Sequence, residues 1–103
     1  MKKNTIREDV LRAVEHVEHP EIASTLGDLG MILDVSIQGS TATVAVALPI
    51  MGIPEAIKNT LIDRIRQQVY ELGLQLAVEF FEMNEEVRNQ FLTIARAKWK
   101  GSL

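Results

Sequence analysis

The chain has 103 residues, 47% of them hydrophobic and 24% charged, which suits one domain with its own core. It contains no cysteine, and this excludes disulfides, thiolate catalysis and cysteine-held metal clusters. The net charge is −3 with acids and bases interspersed, so there is no basic footprint for nucleic acid or an anionic membrane, and no apolar run nears the ~20 residues of a membrane span.

The start, Met1-Lys2-Lys3-Asn4, is basic but lacks the apolar stretch of a secretory signal, so a cytoplasmic location is expected. Thr5-Ile6-Arg7-Glu8 reads as a capping box, in which the hydroxyl and the carboxylate each accept from the other residue's amide. Behind it Ile6, Val10, Val14 and Val17 recur at helical spacing with Ala13 on the same face, which predicts a helix over about residues 6–17. Pro20 stops it.

Leu33, Val35 and Ile37 alternate with Asp34, Ser36 and Gln38, the period-two pattern of a half-buried strand. Gly39-Ser40 predicts a type II′ hairpin turn with Gly39 at positive φ. The return strand puts Val44, Val46 and Leu48 on one face. Its other face carries Thr43, Ala45 and Ala47, small residues that suggest a close-packed or covered surface. Pro49 to Pro54 is a loop, and Pro54 suits the first position of the next helix. Ile57, Leu61, Ile62, Ile65, Val69 and Leu72 trace that helix's apolar stripe, and Gly73 ends it. A third strand alternates Leu74, Leu76, Val78 and Phe80 with Gln75, Ala77, Glu79 and Phe81. Asn84 caps a last helix, with Glu85 and Glu86 near its start, Arg96, Lys98 and Lys100 near its end, and Gly101 closing it. The expected fold is α/β (α+β): a two-layer α-β-β-α-β sandwich around a three-stranded mixed sheet, with an extra C-terminal helix. One domain spans 1–103, with a core at 8–80 and the extension at 84–100. Strand three should extend the hairpin sheet, helices one and two should cover one face, and Leu61, Ile65, Val35, Val46 and Val78 should be core.

Several motifs invite a chemical reading. His16 and His19 lie three apart with Glu21 nearby, but no third strong ligand stands at diagnostic spacing. A solvated helix end is the plainer account, and no metal site is assigned. Gly27-Asp28-Leu29-Gly30 matches the bare glycine pattern of a phosphate-clamping loop, yet its interior is acidic and apolar and it leads into a strand, so it reads as a turn. Glu21, Asp28 and Asp34 form no evident acid–base pair, and Ser24, Thr25 and Ser40 lack a catalytic frame. The loop of Ile50, Met51, Gly52 and Ile53 is apolar at a strand–helix junction. It is either a contact patch for a partner, or its side chains tuck under the sheet edge or the last helix. On the last helix Val87, Phe91 and Ile94 form one apolar edge and Leu92, Ala95 and Trp99 a second. Trp99, the sole tryptophan, is an anchor for a partner or packs back on its own domain.

Val10-Leu11 with Val14 and Val17, His19-Pro20-Glu21, Asp28-Leu29-Gly30-Met31-Ile32, the hairpin and the Pro54-led helix together resemble the iron–sulfur assembly-associated domain family. That family includes the amino-terminal domain of Mrp-type ATPases, PaaD and SufT. The resemblance implies a pattern of Asp-Pro-Glu, then Asp-Leu-Gly, then a threonine-bearing loop ending Cys-Pro. Here His19 stands for the aspartate, Ile53 for the cysteine, and Pro49 or a neighbour for the threonine. The fold is therefore expected to carry over, while cysteine-dependent activity and any cofactor are not. The resemblance implies a non-catalytic adaptor of iron–sulfur protein maturation that contacts assembly or target proteins. The residues expected to make the contacts are Glu21, Asp28, Ile50, Met51, Gly52, Ile53 and Trp99, and the Ile50–Ile53 loop and the Trp99 edge are expected to be a surface either for a partner or for self-association as a homodimer. An accessory protein of a multicomponent metabolic enzyme is the alternative, and a histidine-based metal-binding protein a further one.

Overall fold

Local turn chemistry sets the framework. The computed structural model describes the backbone of residues 2–100 and the side chains of residues 7–100. The elements are α1 (Lys2–Glu15), β1 (Ile32–Gln38), β2 (Thr41–Leu48), α2 (Glu55–Glu71), β3 (Gln75–Glu82) and α3 (Glu85–Lys98). Gly39 has φ +59°, and Ser40 beside it does not cross to positive φ, which is the type II′ geometry. The turn sets Gln38 opposite Thr41, and β1 runs antiparallel to β2 from there. At the end of α2 the Gly73 amide donates to the Tyr70 carbonyl at 2.9 Å and the Leu74 amide to the Val69 carbonyl at 3.2 Å. With Gly73 at φ +82° this is a Schellman stop. It turns the chain straight into β3, which pairs parallel to β2, so the sheet is mixed with order β1-β2-β3. Asn84 caps α3, its Oδ1 accepting from the Val87 amide at 2.8 Å.

One sheet face is covered by helices. α1 packs on β1 and α2, and α2 packs on β3. Val10 and Val14 of α1 and Leu61, Ile65 and Val69 of α2 bury fully against Val35, Val44 and Val46 in one hydrophobic core. Each such side chain stabilises the fold by roughly 1.5–3 kcal/mol through loss of apolar surface to water. α3 closes the end of the sandwich. Its Arg88 binds the Pro49 and Met83 carbonyls at the sheet end, and its last residues pair with the 21–23 segment.

The structure corrects five expectations. α1 begins at Lys2, so Thr5 lies within the helix and the capping box is not its start; no glycine or proline before Thr5 prevents this extension. The Thr5 side chain lies outside the described residues, as does the whole of Gly101; α3 ends at Lys98. Pro54 is the N-cap of α2, one position earlier than expected, and its carbonyl accepts from the Ile57 and Lys58 amides. Leu33 is not core. A β-bulge falls between Ile32 and Asp34, leaves Leu33 unpaired and turns it outward to 53% exposure. Val78 is only half-buried, because β3 is an edge strand. Finally, the second sheet face is open, because α3 crosses the end of the sandwich; Thr43 and Ala45 are half-buried, Ser36, Ala77 and Glu79 exposed, and only Ala47 is sealed.

Candidate functional site

The segment between α1 and β1 folds back on itself. Glu18 bridges Thr25, the His19 amide donates to the Ser24 carbonyl at 3.0 Å, and the Leu26 amide to the Val17 carbonyl at 2.7 Å. This loop buries His19 to 6% exposure, contrary to the solvated helix end expected for it. Its Nδ1 accepts from the Glu21 amide at 2.9 Å, so the ring proton sits on Nε2. An aspartate, which the family resemblance implies here, would accept from the amide two residues on in the same way. Burial first, then the charges of Arg64 and Lys100, lower the His19 pKa from 6.5 to about 4. The imidazole is neutral at physiological pH and serves as a structural acceptor.

His16 is separate from it. It stays exposed and donates from Nδ1 to the Arg12 carbonyl at 2.8 Å. His16 lines a cavity of about 300 Å³ with Glu15, Thr25, Gly27 and Asp28. Thr25 starts a single helical turn here, its Oγ1 accepting from the Asp28 amide at 3.1 Å and its carbonyl from the Leu29 amide at 3.0 Å. Gly27 packs so tightly on α1 that a Cβ would lie 2.9 Å from the Glu15 Cβ, and Gly30 needs its φ of +73°. Gly27 to Gly30 is thus a packed turn that inserts Leu29 into the core and leaves the Asp28 side chain exposed. Glu21 is half-buried, and its carbonyl accepts from the Lys100 amide at 2.9 Å. Asp28 lines the cavity beside His16, and Glu21 does not.

The loop before α2 divides its side chains. Ile50 and Met51 are exposed, Gly52 is open, and Ile53 tucks half-buried against the core. The loop is anchored from α3. Arg88 donates Nε to the Pro49 carbonyl at 2.8 Å, and its Nη2 reaches the Met83 carbonyl at 2.8 Å and the Glu82 carboxylate at 3.1 Å. Trp99 lies at the other end of α3, roughly 16 Å along the axis from Arg88 at 1.5 Å per residue. Its backbone bridges Ile22, while its ring stays exposed beside a groove of about 360 Å³ with Leu92, Ala95 and Arg96. The loop and the Trp99 edge are therefore two patches.

Sequence reasoning missed Arg88 and the pair Leu33 and Phe81. Phe81 is 45% exposed on the open sheet face, level with Ala47 of β2, and Leu33 borders the same end from β1. The tandem Phe80-Phe81 held part of that signal, since alternation puts one ring on each face. The Arg88 bonds span up to 39 residues of sequence, and no local pattern announces them.

The donor set does not fit an iron–sulfur cluster. Such clusters are normally held by thiolates, and the chain has none. Among the described residues, no three His, Cys, Asp or Glu side chains lie close enough to hold a metal ion. No helix among them is long and apolar enough to cross a membrane.

No curated protein matches the chain. Among solved structures it is similar to the crystal structure of a domain of unknown function, DUF59, from Bacillus anthracis, with a TM-score of 0.64 and 18% identity over 91% of this chain and 93% of that one. At that identity the likeness shows the fold alone. The sequence model of the iron–sulfur cluster assembly proteins matches residues 7–73, which run from α1 through the glycine that ends α2 and make up more than half of the chain. The chain belongs to the iron–sulfur cluster assembly protein family.

Proposed function

We propose that this protein is a non-catalytic adaptor in iron–sulfur protein maturation, working by contact with assembly or target proteins. The observation that carries this reading is the loop before α2. Ile53 stands where the family resemblance implies a thiol, and Ile50 and Met51 are exposed beside it. That loop offers apolar contact area and no thiolate. Gly52 lets a partner approach the backbone closely, Trp99 supplies an aromatic edge, and Glu21 and Asp28 supply polar contacts near the 16–31 segment.

Affinity capture from the native cell tests it, with parent, Met51→Glu and Trp99→Ser proteins compared after circular dichroism confirms their folds. Recovery of iron–sulfur assembly or target proteins with the parent, and their loss with Met51→Glu, is the expected result. Recovery of one multicomponent metabolic enzyme instead would favour the accessory role. Stoichiometric iron and sulfide bound after anaerobic reconstitution would sink the adaptor reading.

A further inference from the structure

The sheet presents one helix-covered face and one open face. Strand register assigns the rows of the open face: Ser36–Thr43–Ala77, then Asp34–Ala45–Glu79. Their floor is small side chains, so a packing element can come close to the sheet. At the loop end this floor is bordered by two large exposed apolar residues, Leu33 on β1 and Phe81 on β3. Charge on the three strands is of one sign. They contain Asp34, Glu79 and Glu82 and no lysine, arginine or histidine; Asp34 and Glu79 fall in the open rows, while Glu82, opposite the core residue Leu48, follows the helix-covered register. Arg7 pairs with Asp34 and Arg88 with Glu82, whereas Glu79 has no ion pair among the described residues.

We propose that this open face docks an amphipathic helix of a partner protein whose polar flanks carry lysine or arginine. The dimensions agree. The outer strands lie about 10 Å apart, twice the ~4.8 Å strand spacing, which is about the width of one helix. Leu33 and Phe81 meet the apolar stripe of that helix, and Glu79 meets its basic flank. A second copy of this chain is a poorer occupant. A two-fold interface sets the same patch against itself, which would bring two Glu79 carboxylates onto one interface with no cation from either open face to match them. The inference rests on the reading that the protein works by contacting other proteins, but needs neither the Ile50–Ile53 loop nor Trp99.

Nuclear magnetic resonance titration of the 15N-labelled protein tests it. Two synthetic 18-residue amphipathic peptides share one leucine–alanine face; one has lysine on its polar flanks and the other glutamate. The lysine peptide should bind saturably, gain helix, and shift the amides of Thr43, Ala45, Ala77 and Glu79. Glu79→Lys should weaken it about threefold to tenfold at low salt. Phe81→Ser should weaken it about tenfold. Both substitutions are at exposed positions, and unchanged amide shifts elsewhere would show that the fold is kept. Equal affinity for the two peptides, binding of neither, or a dimer closed through this face in sedimentation would overturn the proposal. Shifts confined to the Ile50–Ile53 loop or to the groove of Leu92 and Trp99 would overturn it too, while leaving the adaptor reading standing.

Discussion

Acidification from neutral pH should destabilise this fold through His19. The buried imidazole keeps a pKa of about 4, against 6.5 for an ordinary histidine in the unfolded chain. Above pH 6.5 neither state binds the proton, and the full stability is present. As the pH falls below 6.5 the unfolded chain takes up the proton while the folded protein refuses it, and stability is lost until the pH passes about 4. At pH 5 the linkage amounts to about 2 kcal/mol, and over the whole window to about 3 kcal/mol. Asp34 titrates in a different window. The Val35 amide and then Arg7 hold its carboxyl below the ordinary 3.8, so its contribution fades only as the pH drops past that value. Urea unfolding followed by Trp99 fluorescence at pH 7, 6, 5 and 4.5 measures the effect. With a slope of ~1–1.5 kcal/mol per molar urea, the midpoint should fall by roughly 1–2 M between pH 7 and pH 5. His19→Asn is the control, since its carboxamide oxygen still accepts from the Glu21 amide but does not titrate. It should begin lower at pH 7, because part of the ring's volume is left unfilled, and then show no His19-linked loss. A parent midpoint that is flat from pH 7 to 4.5, or an asparagine variant that falls as steeply as the parent, would refute the reasoning.

Three further outcomes are expected. Ile65→Ala should cost about 2–5 kcal/mol in chemical denaturation, because Ile65 is fully buried in the central stripe of α2; a parental melt would show the stripe misassigned. Gly27→Ala should destabilise by about 1–3 kcal/mol, because its Cβ overlaps the Glu15 backbone and Cβ, and an unchanged midpoint would mean that α1 yields freely there. Ile53→Cys should react with a thiol probe at a different rate from Gln38→Cys. The helix amino terminus lowers the thiol pKa and speeds it, while half-burial of the site opposes this. The faster rate is expected at Ile53→Cys, and equal or slower reactivity would argue that the loop lacks the reactive geometry the resemblance implies.

Short-range chemistry was legible in the sequence. Gly39, Gly73 and Asn84 each act within a few residues, and each takes the expected turn or cap. The family resemblance was legible because Pro20-Glu21 and Asp28-Leu29-Gly30 keep their spacing. Features set by distant contacts were not. The alternation of Leu33, Val35 and Ile37 runs unbroken through the bulge, so period two alone assigns Leu33 to the wrong side. Ala45 and Ala47 fit a tightly packed face and an uncovered one equally well, and only the path of α3 decides between them. His19 reads as polar and exposed until Ser24, Lys100 and Arg64 close around it. The candidate contact residues were split for the same reason: α3 separates the loop from Trp99 by its own length.

Arg7 has a consequence for solubility. Its Nε donates to the Val35 carbonyl at 2.7 Å, and its Nη2 grips Asp34 at 2.6 Å. Both partners lie on the outer margin of β1, where an intruding chain would seek hydrogen bonds. One of the acceptors it would use is already taken. The bulge at Leu33 breaks the ladder a few residues away. Growth of the sheet by stacking copies along β1 is thus opposed by occupancy and by geometry. This guards the chain against fibrous association on that side.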